Sequence, residues 1–550
     1  MTATAADRSW RMGRSTRVSV DRSRSSRHGK LSSQAPWSLT PAEQSPCLPT
    51  MRSIVWFRGK DLRVHDHPAL HRAAQGCQEL VSVFVLEPAY FARPDGAGAV
   101  PHRIQFMLES LQELEANLKA LGSDLLVVHG PAVRALPELV ARYGATEIFA
   151  IASCEPAGRA RDARLAERLG VPLTLCGHET LIEPGTLRNA AGGAFQVYTP
   201  FARAALARLE LPVLIGAPRR LPPSPAKPER LGVSIPSLSA LGIAHNASLQ
   251  VGGERAGMLR LKAFLAEHGS QYPEDRNRMD LPGTSRLSAD LHFGTLSVRQ
   301  ILAGARDALA ETAPDAWERY RAELLWREFS HHTLFDRPSV LELPFRSDFE
   351  GFPWHRDERG WRAWTEGRTG YPVVDAAARQ LLREGFVHNR ARMIAASFLT
   401  KHLAISYRRG EAHYLQWLTD GDPAQNNMGW QWCAGSGCDA QPYFRIFNPV
   451  TQGERFDPDG DYVRRYVPEL ANLPKSAIHA PWKADPEVLR RASFRLGVDY
   501  PRPVIDHDEA RQRFLLIASE HLSAKRTARS KLAPRKPTRK PSTRAPRREM

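Results

Sequence analysis

Cysteine is scarce and unclustered. Cys47, Cys77, Cys154, Cys176, Cys433 and Cys438 form no CxxC pair, and no His/Cys group has the spacing of a structural zinc finger. A disulfide scaffold is therefore not expected, nor a metal centre built from neighbouring positions, and free thiols in a reducing compartment are. No run reaches 18 apolar residues, so no membrane-spanning helix is expected. No GxGxxG follows the first apolar strand, which argues against a nicotinamide-type dinucleotide site. Acidic residues are missing where basic ones gather. Residues 1–50 carry eight Lys/Arg against three acids and residues 523–550 carry eleven against one, so the tails hold +15 of the net charge of +17. Both tails are expected to be disordered for want of apolar residues. Residues 1–50 read either as a Ser/Arg-rich leader or as an extension ahead of a start at Met51. The body between the tails is close to neutral, so any polyanion surface on it must be a local basic patch, while the tails supply attraction that salt weakens.

At 550 residues the chain has room for about two to four domains. From 53 to 178, β-branched runs (SIVWF, LVSVFVLEP, DLLVVHG, EIFAIA, PLTLC) alternate with helical stretches such as HRIQFMLESLQELEANLKALG, the pattern of a doubly wound parallel sheet in an α/β domain. Residues 185–250, including LPPSPAKPE, are rich in Pro, Gly and Ala and read as a long surface connection. From 254 onward the apolar period is helical, which predicts an all-α second domain. The expected organisation is a disordered extension (1–50), an α/β domain (51–180), a linker (181–253), a helical domain (254–522) and a disordered basic tail (523–550).

The densest chemistry lies at 420–452, DGDPAQNNMGWQWCAGSGCDAQPYFRIFNPVTQ, where two carboxylates, paired amides, two indoles and an Arg share one run. In AELLWREF, Glu323 lies three residues from Trp326 and four from Arg327, so all three share one helix face. A carboxyl group beside an indole wall offers a hydrogen-bonding edge and a flat apolar surface, which is what an extruded base would meet. Asn389 and Met393 of HNRARM stand one turn apart, and Trp432 adds a second indole. TSRLS at 284–288 reads as a helix start with Thr284 or Ser285 as N-cap. Its hydroxyls and Arg286 suit a pyrophosphate as well as an ordinary cap.

With WTEGRTGYPVVDAAARQL at 364–381 and HNRARMIAASFL at 388–399, these segments resemble the cryptochrome/photolyase family of flavoproteins over roughly Arg52 to Glu520. The closest likeness is to its class I branch, which repairs cyclobutane pyrimidine dimers. The resemblance implies FAD as cofactor, with Tyr272, Thr284, Ser285, Arg286, Leu287 and Ser288 along the pyrophosphate. Arg327, Asn389, Arg392, Asp420, Gly421, Asp422 and Asn426 would hold the rest. Asn426 would sit near the flavin N5, where an amide is a poor proton donor and so keeps the flavin anionic. Asp420 and Asp422 would pair with Arg392.

The same resemblance makes Glu323, Trp326, Asn389, Met393 and Trp432 the dimer pocket, with Arg390, Arg445 and Gln452 gripping DNA at its rim beside Glu323, Trp326 and Asn389. Glu323, with its pKa raised by burial, would donate a hydrogen bond to a pyrimidine carbonyl. The implied activity is light-driven repair by electron transfer to a flipped-out dimer, with no metal. Damaged DNA is the expected partner of a monomer that does not enter membranes. Its place would be the bacterial cytoplasm and nucleoid, or the nucleus or an organelle of a eukaryote. A blue-light photoreceptor and a flavoprotein that binds DNA without chemistry are the alternatives.

Two departures from the family pattern stand out. A surface-to-flavin chain of three tryptophans is matched at its ends by Trp430 and Trp354, but its middle member is Tyr407. Tyrosine oxidation is easy only with loss of a phenolic proton whose ordinary pKa is about 10. In CEPAGRARD, Ala157 and Gly158 stand where folate-binding members carry Asn-Glu. A second, antenna chromophore is therefore left without an identity, with a deazaflavin, a second flavin or none all open.

Overall fold

The computed structural model describes residues 51–91, 100–210, 213–226 and 232–532. The expected strands appear as β1 (Arg52–Phe57), β2 (Glu79–Leu86), β3 (Leu125–His129), β4 (Glu147–Ala152) and β5 (Leu173–His178), all parallel in the order β3-β2-β1-β4-β5. Parallel strands need crossovers, and helices α1 (Pro68–Gly76), α2 (Pro101–Ala120), α3 (Ala132–Tyr143) and α4 (Pro156–Ala166) supply them. Because both faces are covered, β1 and β2 are apolar at nearly every position rather than at alternate ones. On one face, Ile54, Trp56 and Val83 pack with Leu136 and Leu139 of α3 and Leu165 of α4. On the other, Val55, Phe57 and Phe84 meet Leu70 of α1 and Ile104 and Leu111 of α2.

That second core continues into the helical part, since Phe293 stacks on Phe106 of α2 at 5.1 Å. Gly294, with φ of +62°, closes the approach. A Cβ there would strike the Lys60 carbonyl, so no larger residue fits. Arg63 Nη1 donates to the Gly294 carbonyl (2.9 Å), and the Glu254 carboxylate accepts from Val64 N and His65 N.

The expected surface connection contains α5 (Tyr198–Arg208), which buries Phe201 and Ala205, one turn apart, against the long helix at Pro314–Asp336. The helical part comprises α6 (Glu254–Glu267), α7 (Tyr272–Asp275), α8 (Ser288–Phe293), α9 (Val298–Leu309), α10 (Pro314–Asp336), α11 (Glu358–Thr365), α12 (Pro372–Glu384), α13 (Asn389–Ser397), α14 (Tyr407–Trp417), α15 (Pro423–Ala434), α16 (Pro449–Phe456), α17 (Asp461–Tyr466), α18 (Lys475–Ile478), α19 (Pro486–Arg491) and α20 (His507–Leu532). Its main core gathers Val374 and Leu381 of α12, Ile394 of α13, Tyr414 of α14, Trp430 of α15 and Val463 of α17.

The basic tail begins later than expected. α20 runs through residue 523 to Leu532, anchored by Phe514, Ala518 and Leu522 against Phe349 and Phe352. Those apolar positions, four apart, carry the helix past the point where basic composition alone signals disorder. The expected disordered segments at 1–50 and beyond 532 lie outside the described residues. No described helix is long and apolar enough to cross a membrane.

Candidate active site

Helix α15 is the hub of the site, packing against α10, α13 and α14. Its start is fixed by Asp422, whose side chain caps it by accepting from Gln425 N at 3.0 Å, with Pro423 at the first helical position. α10 brings Glu323, Trp326 and Arg327, α13 brings Asn389, Arg390, Arg392 and Met393, and α15 brings Asn426, Trp430 and Trp432. The five expected pocket residues are not core residues. Asn389 is exposed, and Glu323, Trp326, Met393 and Trp432 are half-buried. Indoles and a thioether left partly open on three helices suit a concave wall that receives a flat partner.

Glu323 corrects the sequence reading. It is half-open rather than buried, and its side chain pairs with Arg276 at 2.6 Å, because the end of α7 presents Arg276 to α10. Arg276 has company. Burial, and then the like charges of Arg276 and Arg455, push the Arg390 guanidinium below its ordinary pKa, and Arg390 donates to Asn277 Oδ1 at 2.7 Å. Three guanidiniums thus converge beside the pocket, a local basic patch on an otherwise neutral body. Arg445 is exposed and Gln452, on α16, is half-buried with its buried Oε1 unpartnered. Tyr198 of α5 lies flat on Trp326, with ring centroids 3.7 Å apart and planes at 5°, and its hydroxyl donates to the Ala322 carbonyl. The sequence reading missed Arg276 and Tyr198, since neither carries a signal tying it to α10.

The residues expected to hold a dinucleotide depart from expectation in two places. Thr284 and Ser285 are not N-caps: α8 begins at Ser288 after Leu287, which makes no side-chain cap. The Ser285 hydroxyl instead accepts from Tyr320 at 3.0 Å. The physical reason is Arg286, which adopts φ of +50° and turns the loop before the helix can start. Its guanidinium pairs with Glu384 at 2.9 Å and lies over Phe386. Second, Asp420 pairs with Arg392 as expected (2.8 Å), but Asp422 does not. Asp422 faces the α/β layer and pairs with Lys60 at 3.0 Å, which holds its carboxyl well below the usual range despite burial. Gly421 is buried between the two, Tyr272 is buried at the start of α7, and Arg327 Nη1 donates to the Glu179 carbonyl.

Asn426 donates to the Glu411 carbonyl at 3.0 Å, and Asn427 donates to the Glu411 carboxyl at 2.9 Å. Glu411, unremarked in the sequence, is driven up to about 7 by burial. The residues expected to form an aromatic relay touch in part. Trp354 meets Tyr407 edge-on at 6.3 Å, and burial raises the Tyr407 phenol to about 12. Trp430 makes ring contacts with Tyr414 (5.1 Å) and Trp364 (5.9 Å), and Trp364 stacks on the half-buried Trp361 at 5.6 Å.

A flavin dinucleotide fits this chemistry, because Asp420 Oδ1 and Arg286 Nε are buried without protein partners, beside Arg392 and the TSRLS hydroxyls. An α/β layer docked on a helical body with such a site defines the class of FAD-dependent cryptochrome/photolyase flavoproteins. Residues 53–228 match the family model described as DNA photolyase, and residues 320–520 match that of the FAD binding domain of DNA photolyase. The chain is 38% identical over 486 residues to the deoxyribodipyrimidine photo-lyase of Agrobacterium fabrum, covering 85% of this chain and 98% of that one. It is 41% identical to a Thermus thermophilus enzyme of the same name (82% and 99% covered) and 36% identical to that of Escherichia coli (83% and 96%). Among solved structures, a bacterial class III photolyase from Agrobacterium tumefaciens superposes with a TM-score of 0.80 at 36% identity, covering 88% of this chain and all of that one. Synechocystis cryptochrome gives 0.77 at 30%, covering 85% and 99%. An archaeal photolyase from Sulfolobus tokodaii with two FAD molecules gives 0.68 at 26%, covering 86% and 100%. The chain belongs to the DNA photolyase family and carries its FAD-binding domain.

Proposed function

We propose that this protein is a deoxyribodipyrimidine photo-lyase that splits cyclobutane pyrimidine dimers in DNA under blue or near-ultraviolet light. The observation that carries the reading is the half-open wall of Glu323, Trp326, Asn389, Met393 and Trp432, set beside converging Arg276, Arg390 and Arg455. FAD, when bound, supplies the photoexcited electron. Arg392 with Asp420, and Arg286 with Ser285 and Ser288, would hold it, and Asn426 would contribute an amide that is a poor proton donor.

The dimer leaves the helix at low cost because its pairing and stacking are already weakened, an argument for which photolyases are themselves a standard example. Trp326, stiffened by Tyr198 behind it, gives the pyrimidines a flat surface, and Trp432 and Met393 exclude water. Asn389 donates to a base carbonyl. Glu323, held by Arg276, accepts from a base N–H, and the Arg276 charge behind it stabilises negative charge that develops on the dimer. Arg390, Arg445 and Gln452 grip the flanking backbone. The protein acts as a monomer on nucleoid, nuclear or organellar DNA, and a deazaflavin, a second flavin or no antenna at all remain open for its α/β layer.

The test is conversion of a thymine dimer in an oligonucleotide by the purified, chemically reduced protein. Thymine restored under blue light and not in darkness is the expected result. Damaged-DNA binding without restoration would reject the enzyme reading.

A further inference from the structure

Cys154 lies two residues past the end of β4 and Glu179 directly follows β5, so both lie at the carboxyl ends of neighbouring parallel strands, the edge where open α/β sheets place their ligand sites. His331 comes to the same point from α10. One ligand atom from each of the three lies within 4.8 Å of the others. His331 is fully buried, and neither of its ring nitrogens has a protein partner. Cys154 is buried too, and the Glu179 side chain is only 6% accessible. A buried imidazole with both nitrogens unmet, aimed at a thiol and a carboxylate, calls for a ligand.

We propose that Cys154, Glu179 and His331 form a divalent-metal site of zinc type at the seam between the α/β layer and α10. The charge around it suits a cation. Lys60 is surrounded by Glu155 (2.5 Å), Glu179 (3.1 Å) and Asp422 (3.0 Å), while Glu328 beside Arg327 (3.6 Å) is raised to about 7 by burial, so three carboxylates and a partly protonated fourth face two cations before the thiol is counted. Sulfur, imidazole nitrogen and carboxylate oxygen are the donor set of Zn(II), with a water completing the fourth position. Ligand bonds of about 2.0–2.3 Å put tetrahedral donor atoms roughly 3.5 Å apart, so the cluster closes by at most about 1 Å on loading. Glu179 can supply that movement, since among the described residues its carboxylate is held by Cys154 N (3.3 Å) and Lys60 (3.1 Å). As the Zn–S bond forms, the thiol proton passes to solvent, and no electron moves. The metal would clip two strand ends to the helix that carries Glu323, Trp326 and Arg327.

The experiment uses the full-length, FAD-loaded protein expressed in zinc-supplemented medium. Its metal content is measured, and the chelator-stripped protein is then titrated with Zn(II) against a chromophoric chelator and, separately, with Co(II). One tight equivalent and a near-ultraviolet thiolate-to-cobalt band are expected. Cys154→Ser and His331→Ala should each weaken zinc binding at least about tenfold, and Cys154→Ser should abolish the band. Cys176→Ser, outside the cluster, should keep both. Flavin content and melting temperature establish that each variant is folded. A wild-type protein that is zinc-free as expressed and takes up none on titration overturns the proposal, as does an equivalent that survives both Cys154→Ser and His331→Ala.

Discussion

Glu323 and Arg276 illustrate how much a single partner changes a side chain's role. Spacing on α10 places Glu323 beside Trp326, but only the packing of α7 on α10 supplies the guanidinium that pairs with it. Glu323→Ala should lower repair per absorbed photon by about ten- to a hundredfold, since hydrogen bonds to charged groups contribute about 1.5–3 kcal/mol. The check is repair yield under monochromatic light alongside binding of dimer-containing DNA. Glu411 makes a second residue-scale prediction. Its carboxyl rises to about 7 on folding, so between the ordinary carboxyl range and pH 7 the folded state binds more protons than the unfolded one. Stability must then fall as pH rises through that window, by up to the order of 3 kcal/mol. Glu411→Gln removes the titration, so its melting temperature should lose less than the wild type's between pH 5 and 7.5. Parallel profiles would clear Glu411 of that role.

At the scale of elements, α14 lies so close to α15 that a Cβ at Gly410 would strike the Trp430 ring. That approach fixes Trp430 against Tyr414 and Trp364. The relay residues were legible as types, yet the sequence could not say which rings touch, because touching depends on how helices separated in the chain cross. Tyr407→Trp should accelerate photoreduction of oxidised flavin, because an indole gives up an electron without first losing a proton. Tyr407→Phe should slow it, and adding Trp364→Phe should slow it further if the stacked Trp364 and Trp361 share the traffic. Time-resolved absorption of aromatic radicals decides this, and identical decay in the single and double variants would limit the relay to Tyr407. TSRLS shows the converse error. Its composition signals a helix start, but Arg286 in the left-handed region delays the helix to Ser288.

Over the whole molecule, the basic segment that matters is shorter than composition suggests, because α20 stays packed to Leu522 and helical to Leu532. Residues 533–550 still carry seven Lys/Arg against one acid. Removing them should weaken binding to undamaged DNA and flatten its salt dependence, by a slope of about 0.9 for each phosphate no longer neutralised, with dimer discrimination unchanged. Equal slopes for full-length and trimmed protein would contradict this. What the sequence by itself determined was local and periodic: four buried strands and a half-buried fifth, the helical second half, and which candidate pocket residues lie three or four apart on one helix. These are legible because apolar period and side-chain direction are set within a few residues. Tertiary structure alone decided the pairings across the chain, such as Glu323 with Arg276, Asp422 with Lys60 rather than Arg392, Tyr198 on Trp326, and Cys154 and Glu179 with His331. Partner choice there depends on which elements the two cores press together, and no local pattern records it.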